Sequence, residues 1–463
     1  MVHRNGKAED VRIAYLGGGS RGWAWFFLAD LALEPALCGT VRLYDIDRAA
    51  AAENADVGNA LGKRPGAKSP WRYVVADTLE EALEGADVVI LSILPGTFEE
   101  MRSDVHLPEE YGILQAVGDT VGPAGLLRAL RTIPIYARFA ERIRAVCPKA
   151  WVINYTNPMT LCTRTLFEAF PEIRAVGNCH GVLHVRGVFS AALRELRGIE
   201  VEDPRELRIN VLGINHFTWV DSAHYRDIDL LPLFMEFARR HWADGYEPDG
   251  PDSWKKSEWG HAHRVMFDVS LRYGIVAAIS DRHLAEFLPP WYLRDDETVA
   301  RWKFHRTPVD TRIRMRRELD VRRRRVIAGE EPLDLKPSGE EGVAQIKALL
   351  GFGDFVTNCN LPNRGQIEGI PLGAVVETNA YFSSDGIRPV HAGRMPAPVL
   401  ALTLRHVLNQ ETLVRAALAK DKELAFQVFL NDPLVTIPPE KARELFDRML
   451  RSTREYLPGW DLG

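Results

Sequence analysis

The feature that most constrains this chain is the run Gly17-Gly18-Gly19-Ser20-Arg21-Gly22. It ends the β-rich stretch Val11–Gly17 and opens Trp23–Leu33, whose apolar residues repeat at helical spacing. In a strand–turn–helix unit of the form Gly17-x-Gly19-x-x-Gly22, the first glycine permits the tight turn and the second lets a pyrophosphate approach the backbone. The third lets the helix sit close to the strand with its positive end toward phosphate. Asp45 closes the next strand, Val41–Tyr44, where a carboxylate accepts from a ribose diol and repels a 2′-phosphate, favouring NAD over NADP. Gly17, Gly19, Ser20, Gly22 and Asp45 are the expected cofactor contacts, with Leu94 at the end of the apolar run Ala86–Leu94 beside them. A glycine turn without a ligand is the alternative.

Behind that turn the chain alternates. Ala86–Leu94 has the near-continuous apolar character of a central parallel strand, Leu126–Val146 is amphipathic and helical, and Trp151–Tyr155 and Ala175–Gly177 are further strands. Such alternation defines a doubly wound parallel sheet. Beyond it the pattern changes: Leu207–Val220 reads as a strand segment, Glu330–Ser338 as a loop, Gly373–Thr378 as a strand and Ala397–Leu430 as helical. The expected architecture is α/β, with a Rossmann-like domain over 1–190 and a mixed α+β domain over 191–463 for substrate, metal and oligomer contacts. A chain of 463 residues is ample for two lobes. A net charge of −5 argues against nucleic acid or an anionic membrane as partner, and no apolar run is long enough to span a bilayer. Met1–Asp10 lacks the pattern of a secretory leader, and five scattered cysteines suit a reducing cytoplasm better than a disulfide framework. The arginine-rich stretch Arg312–Arg325 reads as a solvated helix face or a subunit contact, because Glu318 and Asp320 dilute its charge.

Cys179-His180 ends one strand and Asn215-His216 follows another, where strand ends open onto a cofactor crevice. One cysteine and one histidine do not make a closed structural zinc site. They suit an open divalent-metal site completed by substrate oxygens, or simply a buried cysteine and a core histidine. The residues alone leave both readings standing.

At these positions the sequence resembles the NAD- and divalent-metal-dependent glycoside hydrolases of family 4 along nearly its whole length. The stretches that carry the likeness are Ile13-Ala-Tyr-Leu-Gly-Gly-Gly-Ser, Val117-Gly-Asp-Thr-Val-Gly-Pro, Ile153-Asn-Tyr-Thr-Asn-Pro-Met, Gly177-Asn-Cys-His-Gly-Val, Gly213-Ile-Asn-His, Asn360-Leu-Pro-Asn-Arg-Gly and Val375-Val-Glu-Thr. Ile93-Leu-Pro-Gly, Asp104-Val-His-Leu-Pro-Glu, Asn215-His-Phe-Thr-Trp, Asp281-Arg-His-Leu-Ala-Glu-Phe-Leu-Pro and Trp302-Lys-Phe-His are most similar to the bacterial α-galacturonidase subgroup. Gly181 departs from that subgroup, which carries Glu there, and is similar to the α-glucuronidase signature. Both readings keep a hexuronic acid as substrate.

The resemblance implies glycoside cleavage without the usual carboxylate pair. NAD oxidises sugar C3, the C2 proton becomes acidic, the C1–O bond breaks by elimination, water adds, and the same cofactor reduces the ketone. It implies Mn²⁺, with Co²⁺ or Ni²⁺ as substitutes, held by Cys179 and His216. Asn157 is expected to bind sugar hydroxyls, Asp119 to be an essential acidic residue, Asp281 to be the C2 base, and His180 to bind substrate and protonate the leaving oxygen. A uronate needs a cation, for which Arg282, Lys303 and Arg306 are candidates. Family members are dimers or tetramers, so a homo-oligomer is expected. An NAD-dependent hydroxyacid dehydrogenase, which accumulates NADH, and a non-catalytic dinucleotide-binding regulator, which needs no metal, are the competing classes.

Overall fold

The structure is a computed structural model, and it describes residues 1–4, 6–333 and 335–462. Its first strands are β1 (Val2–Arg4), β2 (Lys7–Leu16), β3 (Leu37–Tyr44), β4 (Trp71–Val75), β5 (Val88–Leu91), β6 (Trp151–Asn154) and β7 (Arg174–Gly177). The strands β4-β3-β2-β5-β6-β7 lie side by side and parallel, and β5 is buried along its whole length. The order reverses at β2, which lies between β3 and β5. Gly17 therefore leaves the sheet at its switch point, where open α/β sheets bind their ligands. The expected doubly wound sheet is what forms.

Two smaller groups of strands complete the molecule. β8 (Arg208–Ile214), β9 (Phe217–Tyr225), β10 (Ile228–Asp229) and β11 (Val276–Ala277) make an antiparallel sheet centred on β9. β12 (Phe355–Pro362), β13 (Val375–Ser383) and β14 (Gly386–Pro389) form an antiparallel meander. That meander joins β7 through Asn360 opposite Gly177, so the large sheet has ten strands drawn from both ends of the chain. The apolar core follows it: Ile13, Tyr15, Val41 and Ile153 share one cluster with Cys359, Ala380 and Phe382.

Two local readings change. Leu207–Val220 is a hairpin rather than one strand, because Asn215-His216 turns the chain between β8 and β9, with His216 at φ +63°. A left-handed conformation at a non-glycine residue is uncommon, and histidine is among those that tolerate it. The arginine run is a solvated face only in part: Arg314, Arg317, Arg324 and Arg325 are exposed, but the other side of the helix is not. The run lies on the helix Val309–Ala328, which docks on the dinucleotide half. Asp320 takes Arg21 Nε at 2.5 Å, the buried Arg323 pairs with Glu53, and Arg312 Nη2 donates to the Val117 carbonyl at 3.0 Å. Net charge along a segment could not show that these guanidiniums have partners elsewhere in the chain. Among the described residues no helix is long and apolar enough to cross a membrane.

Candidate active site

The glycine turn is a cradle shaped by backbone. Gly17 has φ +94°, and a Cβ there would stand 1.9 Å from the Ser92 carbonyl oxygen. A Cβ on Gly19 would meet Asp45 Oδ2 at 2.9 Å, whereas around Gly22 the space is open within 4 Å. The Gly19 N–H donates to Asp45 Oδ2 at 2.8 Å, so the acidic residue and the turn are held together. Asn54 ties the turn from beneath, donating to the Gly18 and Ser20 carbonyls. The helix Trp23–Leu33 has no side-chain cap, which leaves its first N–H groups for an anion. Arg42 and Arg48 are turned elsewhere, to the Glu81 and Glu84 carbonyls and to Asp77. No guanidinium of that pair is aimed at a ribose phosphate. Leu94, 39% exposed, stands beyond β5, next to Ile93, whose N–H donates to Thr156 Oγ1. These residues fit a dinucleotide without a 2′-phosphate.

Across the crevice, ligand atoms of Asp119, His216 and His283 all lie within 4.8 Å of one another. His216 comes from the β8–β9 turn, His283 from the helix Asp281–Glu286, and Asp119 from the loop before the helix Gly122–Val146. The two imidazoles stack, with ring centroids 3.8 Å apart. The Thr120 hydroxyl donates to Asp119 Oδ1 at 2.6 Å and stands 2.7 Å from His216 Nδ1. Its one proton is committed to the carboxylate, so Nδ1–H of His216 must be the donor to Thr120. That assignment leaves the Nε2 lone pair free to bind a metal. Asn157 Nδ2 donates to Asp119 Oδ2 at 3.1 Å, and its own Oδ1 is buried without a partner. His283 Nδ1 is also buried without one. Burial pushes the Asp119 carboxyl up, but His283, His216 and Arg128 together outweigh it and hold the group well below the usual carboxylate range. An anionic oxygen, an imidazole with a free lone pair and an orphaned ring nitrogen in one pocket fit a divalent metal.

Cys179 stands beside this group rather than inside it. A Cβ on Gly181 would lie 3.4 Å from Cys179 Sγ and 4.0 Å from His216 Cδ2, and it would meet Ile279 Cδ1 at 2.4 Å. Burial pushes the thiol far up, and nearby Glu377 adds to it. Glu377 is a hub: its carboxylate accepts from the side-chain amides of Asn215 (3.1 Å), Asn358 (2.7 Å) and Asn360 (3.1 Å). One buried anion thus fixes the residue before His216 and two residues of β12.

His180, with its side chain 42% exposed, pairs with Glu340 at 3.1 Å, and that hydrogen bond raises its pKa. Its ring lies 5.5 Å from that of Trp23, at the mouth of the glycine turn. Asp281 is buried and anchored: Oδ1 accepts the Met266 N–H at 2.9 Å, while Oδ2 has no hydrogen-bond partner and lies 3.9 Å from His261 Nδ1. Burial pushes its carboxyl up to about 7. Of the expected cations, Lys303 donates to the Asp244 carbonyl and Arg306 pairs with Glu109 and Asp296. Only Arg282 remains near the site, its Nε donating to the His305 carbonyl at 2.9 Å.

His283, Thr120 and Glu377 are site residues that sequence reasoning left without roles. Asp281-Arg-His and Val375-Val-Glu-Thr marked the segments, and the tertiary fold supplied the reason.

The chain belongs to the family 4 glycosyl hydrolases: the model of that family matches residues 12–195, and the model of its C-terminal domain matches residues 211–435. By that membership it is a glycosidase. An alpha-galacturonidase of Thermoanaerobacterium saccharolyticum is 55% identical over 464 residues, covering 100% of both chains. The crystal structure of lplD from Bacillus subtilis is similar with TM-score 0.92 at 48% identity, covering 96% of this chain and 100% of that one. A 6-phospho-beta glucosidase of Thermotoga maritima, solved with manganese, NAD⁺ and glucose-6-phosphate, shares the fold with TM-score 0.75 at 21% identity, over 96% of this chain and 99% of that one.

Proposed function

We propose that the chain hydrolyses α-linked galacturonides with NAD and a divalent metal, Mn²⁺ first among them, as resident cofactors. The observation that carries the substrate class is the 55% identity along the entire length of an alpha-galacturonidase. Support for the cofactors comes from the cradle at Gly17 and the orphaned atoms of the Asp119–His216–His283 group. When bound, NAD supplies a hydride acceptor that hands its hydride back, and the metal supplies Lewis acidity at the sugar's vicinal oxygens.

The chain's own residues take the remaining tasks. His216, with Asp119 and His283, would hold the metal, and Cys179 adjoins them as the soft ligand. Asn157 Oδ1, buried and unpaired, is placed to accept from a sugar hydroxyl. His180 holds the proton for the leaving oxygen, and Glu340 keeps that proton on the ring. Asp281 receives the C2 proton, a role supported by its raised carboxyl and by an Oδ2 without a hydrogen-bond partner.

The test is hydrolysis of aryl α-galacturonide and aryl α-glucuronide with NAD⁺, Mn²⁺ and a thiol reductant. Galacturonide should be cleaved without net NADH absorbance, and a chelator should stop it. Failure on both uronides refutes the reading, and stoichiometric NADH would make the chain a dehydrogenase.

A further inference from the structure

Two arginines from separate helices converge on one indole ring. Arg282 follows Asp281 at the start of the helix Asp281–Glu286, and Arg312 lies near the start of Val309–Ala328. Their guanidinium carbons stand 4.9 Å and 5.6 Å from the centroid of the Trp259 ring. Among the described residues every hydrogen bond they make goes to a neutral oxygen. Arg282 donates to the His305 carbonyl and the Thr307 hydroxyl, and Arg312 to the Val117 carbonyl. Arg312 Nε is buried with no partner.

The carboxylates close enough to act on them, Asp119 and Glu286, make their hydrogen bonds elsewhere, and Glu286 Oε2 is buried with no hydrogen-bond partner. Asp119 serves Thr120 and Asn157, and Glu286 Oε1 accepts the N–H groups of Ala116, Val117 and Gly118. Among the described residues neither guanidinium forms an ion pair. Arg282 is buried and Arg312 half-buried. Two desolvated like charges repel, and an anion bound between them relieves that repulsion. Both are tied to the reaction centre: Arg282 precedes His283, and Arg312 holds the carbonyl two residues before Asp119.

We infer that Arg282 and Arg312, fixed by Trp259, form the receptor for the substrate's carboxylate. This rests on the uronide reading above. Guanidinium forks match the two oxygens of a carboxylate, which a neutral hydroxymethyl group does not reproduce. Trp259, 41% exposed, provides the platform that orients both forks.

The experiment compares aryl α-galacturonide with aryl α-galactoside on the NAD- and Mn²⁺-loaded enzyme. Arg312→Gln should lower the galacturonide-to-galactoside ratio of kcat/KM about tenfold to a hundredfold, with the loss carried by KM. Arg312→Lys should recover part of it, and Trp259→Leu should lower the ratio about threefold. Calorimetric binding of free galacturonate to each folded variant gives the same order without turnover. A ratio unchanged in Arg312→Gln, or an equal loss of kcat on both substrates, overturns the receptor and leaves the uronide reading intact. A wild-type enzyme that does not prefer galacturonide overturns the uronide reading itself. If Arg312→Gln does not fold, Arg312→Lys and Trp259→Leu decide by the same ratio.

Discussion

Two glycines of one turn should fail in opposite ways. At Gly17 an alanine Cβ would sit 1.9 Å from the Ser92 carbonyl oxygen and 2.6 Å from its carbon. Ordinary contact begins near 3.4 Å, so the two segments must part by 3.4 − 1.9 = 1.5 Å. Both obstacles are backbone atoms, and no rotamer change clears them. Ser92 N–H also donates to Leu16 O at 2.9 Å, the rung that holds β5 to β2 just before the turn. Moving apart strains or breaks that rung, at about 1 kcal/mol, and the φ of +94° adds about 1–2 kcal/mol for a residue with a Cβ. Residual overpacking adds about 1–3 kcal/mol, for a total of about 3–6 kcal/mol. Gly22 differs: its φ is −126°, and nothing lies within 4 Å of the added methyl. Gly22→Ala should change stability by less than about 0.5 kcal/mol, yet it puts a methyl into the space where phosphate would lie. Thermal unfolding with and without NAD⁺, together with an NAD⁺ titration, separates the two. Gly17→Ala should lower the melting temperature of the apo protein. Gly22→Ala should leave it in place and abolish the stabilisation by NAD⁺ instead. A Gly17→Ala protein that melts like wild type would refute the argument.

Thr120→Val keeps the shape but strips the hydroxyl that links Asp119 to His216; it should cost about 2–4 kcal/mol of stability and weaken Mn²⁺ binding about tenfold or more, read by calorimetry. His283→Ala should weaken Mn²⁺ binding about ten- to a hundredfold, whereas Cys179→Ser should mainly shift preference from Co²⁺ and Ni²⁺ toward Mn²⁺. Unchanged affinity in His283→Ala would remove it from the metal group. Glu286 is pushed up to about 7 by burial, so its protonated form stabilises the fold fully below the unfolded pKa of about 4.3, and that stability is lost as pH rises through about 7. Glu286→Gln should therefore flatten the fall in melting temperature between about pH 5 and 8. The flattening is partial, since Asp281 and Asp432, raised by burial to about 7 and about 6, titrate in the same sense.

The dinucleotide half was legible because its signals are local: a strand, three spaced glycines, a helix and an acidic strand end follow one another within 45 residues. Asn215-His216 was visible as a candidate for the same reason. What the sequence concealed depends on long-range pairing. His283 reads as part of a helix start until β8 and β9 fold His216 against it. Glu377 reads as one acidic residue in an apolar strand until Asn360 is found opposite it in register and two more amides converge on it. Arg312 was misjudged because charge was summed along the chain, and its fate depends on which way one helix faces. Lys303 and Arg306 show the reverse: cations at suggestive positions that the fold pairs with Glu247 in one case and with Glu109 and Asp296 in the other.

The meeting of β7 and β12 bears on how this molecule unfolds. A Cβ on Gly177 would touch Asn360 Cβ at 2.9 Å and Met159 Sδ at 2.7 Å, so the two strands are nearly in backbone contact there. The meander that carries Asn358, Asn360 and Glu377 is thereby continuous with the sheet that carries the glycine turn, whereas His216 stands on the smaller sheet and His283 on a helix. Beside that sheet the crevice opens to solvent where His180 and Trp23 are half exposed. The same continuity makes unfolding cooperative. Calorimetry should show one transition, and a cut after residue 190 should release no half that stays folded alone.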